Sequence, residues 1–353
     1  MSKGDSITSA AYNNLQATTS LVLGANPTGY GQFLNSAPAQ PNTVVSSTQW
    51  NSVRTDMIRA YIHQTNNTPA VEDVLAIVNV NPPYLQTIGS STVISDAILT
   101  QYTNFSNFIN TNKNQHNAAQ LTPNVAITST QRTANWGGAT DVISHTVTLT
   151  FNGYTQNGGA FTVTPADHAT YFFNTGGYIQ ISGTFVPTID PPAAGTKNAM
   201  WKDLLNQFQQ IYFGANNTQS LGGGNTNTAT STEGGTGPTA DSTLPGTATT
   251  TGFFQLVTGS TNYTQIFRTT GPTTPNNKYV ENDYIIKVRR PTASTLEFVI
   301  TFRDDDAGDQ TGIGSAVDEE VTGTLTSLVR CTRPSGTGGN VDVPAPTGVA
   351  TAL

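Results

Sequence analysis

The spacing of apolar residues divides the chain into a helical beginning and a longer part dominated by strands. In the first 120 residues, apolar side chains recur at steps of three and four within 8–23, 46–61 and 95–112, which is the repeat of an amphipathic helix. Ser46 stands before the second segment as a hydroxyl cap. Residues 1–120 are therefore predicted to form a mainly helical module.

Beyond residue 120 the repeat changes to two, as in half-buried strands. Strands are predicted at 142–151, 178–185, 253–257, 262–269, 284–288, 296–302 and 321–329. Helical spacing returns only at about 198–212, which predicts one helix. The segment 222–251 consists mostly of Gly, Asn, Thr, Ser and Ala, which predicts a flexible surface loop.

The predicted fold class is α+β with mostly β structure. The helical module is followed by an antiparallel, jelly-roll-like β-sandwich over 121–335, which contains the inserted helix and the long loop. Several short strands with turn-rich connections are typical of such a fold. Gly, Pro and Thr then predict an extended C-terminal tail over 336–353.

The chain is poor in charge. Asp, Glu, Lys and Arg make up 10% of the residues, against roughly 25% in an average soluble domain. The polar surface must come from Thr, Asn, Ser and Gln, whose side chains can enter an interface without the desolvation of ions. Such a surface fits a packed assembly.

The net charge and the lengths of the apolar stretches indicate which partners and which cellular location to expect. The net charge is −7 and the longest basic run is Arg289-Arg290, so we expect no direct binding of nucleic acid. The N-terminal residues lack the apolar run of a secretory signal. No stretch reaches the ~18 apolar residues of a membrane span. We expect a protein that is made in a cytoplasm and has no membrane span.

An acidic segment after a predicted strand is the candidate metal site. Asp304, Asp306 and Asp309 provide oxygen ligands of the kind that calcium prefers. The segment lacks the glutamate that closes an EF-hand loop, so a solvated acidic turn is the alternative interpretation. We expect no other cofactor.

The histidines and the cysteine are expected to have structural roles. His63, His116, His145 and His168 show no spacing typical of a zinc site. His145 is predicted to point outward from its strand, and His168 to be hydrogen-bonded. Cys331 is the only cysteine, which excludes an intrachain disulfide, and we expect it to be buried as a small hydrophobic side chain.

No catalytic motif is evident, and we expect the protein not to be an enzyme. A serine hydrolase elbow, Gly-x-Ser-x-Gly, is absent from the sequence. A glycosidase needs two carboxylates held a defined distance apart. The only clustered candidates, Asp304, Asp306 and Glu320, are crowded together, which favours ion binding or solvation instead.

Three short motifs carry a family resemblance. They are Gly29-Tyr30-Gly31-Gln32, Tyr171-Phe172-Phe173-Asn174-Thr175-Gly176-Gly177 and Gly323-Thr324-Leu325-Thr326-Ser327. In these the chain resembles uncharacterised virion structural proteins of tailed phages, especially marine T4-like cyanophages. The resemblance implies a virion protein made in the cytoplasm of a bacterial host: a component of a tail fibre, neck, baseplate or head appendage.

This resemblance also implies partners, namely other virion structural proteins and further copies of the chain in a symmetric homo-oligomer. We expect the helical module to dock onto the particle and the β domain to assemble. Four large side chains of the module are the predicted interface residues: Tyr12, Tyr30, Trp50 and Met57.

The alternative function is a carbohydrate-binding receptor module that recognises glycan on the host surface. It requires exposed aromatic rings that can stack on sugars. The candidates are Tyr154, Tyr171, Phe172, Tyr178 and Tyr263. The alternative interpretation is that these aromatic side chains pack in the core, as aromatic residues in strands often do.

Overall fold

The structure is a computed structural model. It describes residues 9–67, 85–90, 92, 94–138, 141–208, 210–221, 246–248, 251–270, 279, 282–305, 319–335 and 341–353. Within these residues the fold is α+β and mostly β, with helices first and antiparallel sheets after them, as predicted. Of the helices in this part of the chain, none combines the length and the apolar character needed to cross a bilayer.

Three helices form the N-terminal unit: α1 (Ser9–Leu23), α2 (Ser47–Thr65) and α3 (Asp96–Thr111). Helix α2 begins with a capping box, in which the Ser46 hydroxyl accepts from the backbone N–H of Gln49 and the Gln49 side chain accepts from the backbone N–H of Ser46. The three predicted helices and the hydroxyl cap of the second are therefore confirmed.

Aromatic side chains hold the three helices together. The Trp50 ring of α2 packs edge-on against Tyr12 of α1 and Tyr102 of α3, with ring centroids 5.6 and 5.2 Å apart. These side chains are buried in a core of their own, separate from that of the sheets. Edge-to-face aromatic pairs add to the stabilisation that comes from burial of their area.

The strands follow in chain order. They are β1 (Leu121–Arg132), β2 (Asp141–Thr150), β3 (Tyr154–Gln156), β4 (Phe161–Val163), β5 (Tyr178–Pro187), β6 (Gln210–Phe213), β7 (Thr218–Leu221), β8 (Gly246–Ala248), β9 (Thr264–Thr270), β10 (Asp283–Thr292), β11 (Thr295–Asp304), β12 (Gly323–Pro334) and β13 (Thr347–Ala350). Two further helices lie among them, α4 (Pro165–Asn174) and α5 (Lys197–Phe208).

Two antiparallel sheets share one core. One has the order β1-β12-β5-β6-β7 and the other β13-β2-β11-β10-β9-β8, while β3 and β4 form a separate hairpin. Inward-facing side chains of both sheets belong to a single buried cluster. In this cluster the ring centroids of Phe213 on β6 and Phe298 on β11 are 5.4 Å apart. This arrangement is a β-sandwich.

Helix α4 was not anticipated from the sequence. The Thr164 hydroxyl caps it by accepting from the backbone N–H of Asp167, and Pro165 occupies its first turn. His168, Ala169 and the three aromatics at 171–173 are all buried. Its polar residues Asp167, Thr170 and Asn174 do recur at helical spacing, but the run of three consecutive aromatics interrupts the apolar repeat that predicts an amphipathic helix. The sandwich therefore contains two inserted helices rather than one.

Other boundaries also differ from the prediction. Helix α5 ends at Phe208, and Ile211 is buried as part of strand β6. Residues Phe253–Gln255 form a 3-10 turn where a strand was predicted. Strand β1 was not predicted; it lies at the edge of its sheet, where Pro123 is tolerated. The loop prediction for 222–251 lies mostly outside the described residues.

The C-terminal tail is anchored in both halves of the molecule. Val341 is buried in the helical core and Val343 in the sandwich core. Strand β13 then pairs with β2 at the edge of the six-stranded sheet. The described part of the tail is extended, but it is an integral part of the sandwich and not a free end.

Candidate functional site

Two of the motifs that carry the family resemblance meet at a junction between the helical unit and the sandwich. The side-chain amide of Asn174, the last residue of α4, donates to the carbonyl oxygens of Pro27 and Gly29 at 3.0 and 2.9 Å. Gly31 lies against the Tyr171 ring with a φ of 65°, and a Cβ there would come within 1.9 Å of that ring. Only glycine fits this close contact.

Tyr30 connects the loop after α1 to two helices. Its hydroxyl donates to the carbonyl of Lys113 at 2.7 Å and accepts from Nε2 of Gln64 at 3.0 Å. Its ring packs edge-on against His63, with centroids 5.1 Å apart. A side chain that is fully buried and hydrogen-bonded in this way fixes the loop after α1 to the helical unit beside the junction.

A pair of buried histidines lies at the same junction. The His63 and His116 rings are 6.3 Å apart, and Nε2 of His63 lies 3.2 Å from the carbonyl oxygen of Thr175. Burial lowers the pKa of His63 to about 4 and that of His116 to about 3, and the adjacent His63 further disfavours a charged His116. Both rings are neutral near pH 7, and the proton of His63 is on Nε2 because a carbonyl only accepts.

The C-terminal tail completes the junction. The backbone carbonyl of Asp342 accepts from Nε2 of Gln32 and from Nε2 of Gln156, each at 3.3 Å. The His168 ring lies between the carbonyl oxygens of Asn152 and Pro344, so the predicted hydrogen-bonded role of His168 is confirmed. Segments from the beginning, middle and end of the chain are thus connected by side-chain hydrogen bonds.

Beside the junction lies a cleft of about 470 Å³ between the β3–β4 hairpin and the helical unit. Phe33, Asn35, Arg59, Tyr154, Gln156 and Asn157 are among its lining residues. The Tyr154 hydroxyl is buried and has no hydrogen-bond partner among the described residues. Burial raises the pKa of Tyr154 well above its usual value, so this hydroxyl stays protonated.

The outer face of the six-stranded sheet carries a second candidate surface. On β2 the residues Ile143, Val147 and Leu149 are buried, so the alternating positions face outward. We call the hydroxyl and valine side chains of this outer surface the threonine face: Val142, Ser144, Thr146, Thr148, Thr150, Thr295, Val299, Thr301, Thr347 and Val349.

One charged side chain, Glu297, lies among the residues of the threonine face, and it is paired. Glu297 of β11 lies opposite Thr148, and its carboxylate is 2.5 Å from the Arg289 guanidinium on β10. Val349 is the most exposed apolar side chain of the threonine face, at 73%. The threonine face is therefore mostly polar and uncharged, with the paired Glu297 among its residues and the exposed Lys287 of β10 next to Val299.

The predicted interface residues of the helical module are not on its surface. Tyr12, Tyr30 and Met57 are fully buried and Trp50 is 2% exposed. The spacing of Tyr12, Trp50 and Met57 along their helices reflects helix-to-helix packing, which uses the same large apolar side chains as an interface. The prediction that these four side chains contact a partner is corrected: they form the helical core.

Asp304, the first predicted calcium ligand, is the anion of a buried ion pair. Its Oδ2 lies 2.7 Å from Nζ of Lys197, and that ammonium also donates to the carbonyl of Gly137 at 2.6 Å. Both side chains are fully buried. Asp304 is thus neither a solvated turn residue nor a carboxylate free for calcium.

The other predicted calcium ligands, Asp306 and Asp309, lie outside the described residues. Within the described ranges, no group of three or more His, Cys, Asp or Glu side chains could hold a metal ion. Nothing in the sequence around Lys197 indicated the ion pair, because its two partners are far apart in the chain.

The aromatic residues that were candidates for stacking on sugars fall into two groups. Tyr171 and Phe172 are buried and cannot stack on a ligand, whereas Tyr154, Tyr178 and Tyr263 are partly exposed. His145 faces the sandwich core, not the solvent as predicted, and burial lowers its pKa to about 4.

Cys331 is fully buried, as predicted, and burial raises the pKa of its thiol to about 12. Its thiol is therefore protonated and unreactive at neutral pH.

We compared the chain with family models, curated proteins and solved structures, and none of them matches it.

Proposed function

We propose that the protein is a non-enzymatic structural component of a tailed-phage virion that assembles into a symmetric homo-oligomer through the threonine face. The observation that carries the proposal is that the five outward-facing positions of β2 from Val142 to Thr150 are all uncharged and lie on a strand that runs through the sheet. Rigid strands present a surface of constant shape, which repeated contacts require.

The energetics of association favour such a surface. Hydroxyl groups can exchange water for a partner's hydroxyl or carbonyl, and the desolvation cost is small compared with that of an ion. Val349 adds exposed apolar area at the edge strand. The low share of charged residues, 10% of the chain, extends this argument to the remaining surface.

The resemblance to virion proteins supports a location in the particle after synthesis in the bacterial cytoplasm. Tail fibre, neck, baseplate and head appendage all remain open within this proposal. Because the helical unit uses its large side chains for its own core, docking on other virion proteins would use its outer, polar residues.

Substitution of Val349 by Lys tests the assembly surface. Val349→Lys places a charge on the threonine face and is expected to convert the oligomer into monomers, because burial of an unpaired charge opposes association. Val257→Lys is the matched control, since Val257 is equally exposed, at 73%, but lies in a loop and not on the strands of this face. Light scattering coupled to size-exclusion chromatography measures the molar mass, and hence the oligomeric state, of each protein.

The proposed assembly role is wrong if the unsubstituted protein is a monomer at high concentration, or if both lysine variants assemble equally well. Mass spectrometry and cryo-electron microscopy of purified particles test the location. Absence of the chain from intact particles contradicts a virion role even if it forms oligomers in solution.

A further inference from the structure

The cleft beside the junction has the size of a small-ligand site. Its volume of about 470 Å³ lies within the range of roughly 300–1,000 Å³ that is typical of ligand pockets. We propose that this cleft binds an uncharged carbohydrate of one or two sugar rings. The inference concerns a different surface from the threonine face, and it holds whether or not the chain assembles.

The charged groups of the cleft are already compensated by partners within the fold. The Arg59 guanidinium lies 3.3 Å from the buried carboxylate of Asp56, and the Asp342 carboxylate lies 2.6 Å from Arg333. One cation and one anion therefore line the cleft, each with its own counter-charge. Such a site offers no net charge to a phosphate, a carboxylate or an ammonium group. Its electrostatics favour a neutral ligand.

Several neutral polar groups of the cleft have no partner in the described part of the chain. The buried hydroxyl of Tyr154 makes no hydrogen bond. The side-chain amide of Asn157 and the Oδ1 atom of Asn35 likewise make none, although Nδ2 of Asn35 donates to Asp56. Together they offer donors and acceptors of the kind that sugar hydroxyls match, since a hydroxyl both donates and accepts. A ligand rich in hydroxyls would give the buried Tyr154 hydroxyl a partner and replace the water around the two exposed amides.

One wall of the cleft is held rigid before any ligand arrives. Oε1 of Gln156 accepts from the backbone N–H of Phe33 at 2.8 Å, and Nε2 donates to Oε1 of Gln32 at 3.1 Å. The Phe33 ring is partly exposed and packs edge-on to Phe161 at 6.4 Å. A fixed aromatic surface beside polar groups suits a sugar, which has both apolar C–H faces and polar edges.

The direct test measures binding of defined saccharides to the full chain. Isothermal titration and saturation-transfer NMR would use glucose, galactose, mannose, N-acetylglucosamine, lactose and maltose, with sialic acid and glucose 6-phosphate as charged probes. We expect at least one neutral saccharide to bind and the charged probes to bind more weakly. Absence of binding by all the neutral saccharides, or preference for a charged probe, would overturn the proposal.

Two variants test whether the saccharide binds in the cleft. Tyr154→Phe removes a hydroxyl that makes no hydrogen bond in the fold, so folding is retained. Asn157→Gly removes the amide at a position whose φ of 50° glycine adopts freely. Each is expected to weaken saccharide binding by about three- to tenfold, the effect of one lost hydrogen bond.

Tyr284→Phe is the matched control, because the Tyr284 hydroxyl is also buried and without a partner among the described residues but lies in the sandwich core beside Leu205. The saccharide affinity of Tyr284→Phe is expected to equal that of the unsubstituted protein. Unchanged affinity in both cleft variants would show that the saccharide binds elsewhere. An equal loss of affinity in Tyr284→Phe would show that the effect of the cleft variants is indirect. Either result rejects the cleft as the site.

Discussion

At the scale of single residues, Gly31 shows how one position joins two parts of the fold. It has a left-handed backbone conformation, and the Tyr171 ring of α4 occupies the space that a side chain would need. The first property is common in turns, but the second arises only because α4 packs against the loop. The contact therefore depends on a residue about 140 positions further along the chain.

We expect Gly31→Ala to destabilise the fold by about 1–3 kcal/mol more than Gly158→Ala. The two glycines have nearly equal φ values, 65° and 62°, but no atom lies within 4 Å of a Cβ built at Gly158. Both variants incur the backbone penalty of about 1–2 kcal/mol, and only the first adds overpacking against a ring. Urea unfolding of the two proteins measures the difference, and equal losses would show that the tyrosine ring moves aside freely.

At the scale of elements, the Lys197–Asp304 ion pair attaches the start of α5 to the end of β11. A buried ammonium requires a counter-charge and further acceptors, and Asp304 and the Gly137 carbonyl supply them. The pair also lies beside the packed rings of Trp136 and Trp201, whose centroids are 4.9 Å apart. The position of α5 on the sandwich depends on this pair.

Lys197→Met is expected to lower the free energy of unfolding by about 3–5 kcal/mol, because it removes the cation from a buried carboxylate. Lys202→Met is the control on the same helix. Its partner Asp190 is 47% exposed, and we expect a loss below about 1 kcal/mol. Chemical denaturation followed by tryptophan fluorescence reports both values. A small loss in Lys197→Met would mean that the Asp304 carboxylate is stabilised mainly by other groups.

Elements differed in how well their sequences predicted them. Helix α2 has an apolar stripe, a polar face and a capping box, which are all local, and it was predicted correctly. Helix α4 has local signals in Thr164 and Pro165 and in its polar face, but it is only ten residues long and its three consecutive aromatics hide the helical repeat. Strand β13 has no clear alternation, and it exists because β2 offers it an edge.

At the scale of the whole molecule, buried neutral histidines make stability depend on pH. His63 and His116 lie where the helical unit meets the sandwich, and burial lowers both pKa values far below 6.5. Between about pH 4 and pH 6.5 the unfolded chain therefore binds more protons than the fold. The stabilisation is complete above the unfolded pKa and is lost as the pH falls toward the folded values.

We expect the free energy of unfolding to be insensitive to these histidines above about pH 7 and to fall by up to about 1.4 kcal/mol per pH unit for each of them below about pH 6.5. His63→Gln keeps an amide donor for the Thr175 carbonyl and should reduce this slope by about one proton. Urea unfolding at about pH 7.5, 6 and 5 measures both slopes. An identical slope in the variant would show that other groups cause the loss.

Local patterns in the sequence determined the fold class, the three N-terminal helices, six of the thirteen described strands and the low charge of the chain. Those properties follow from the repeat of apolar positions and from composition, which act over a few residues. Only the tertiary structure decided that Trp50 is core and not interface, that Asp304 pairs with Lys197, and that Tyr154 and Phe33 line one cleft. Each of these depends on chain segments that are distant in sequence, and burial or pairing is a property of the segments together, not of either alone.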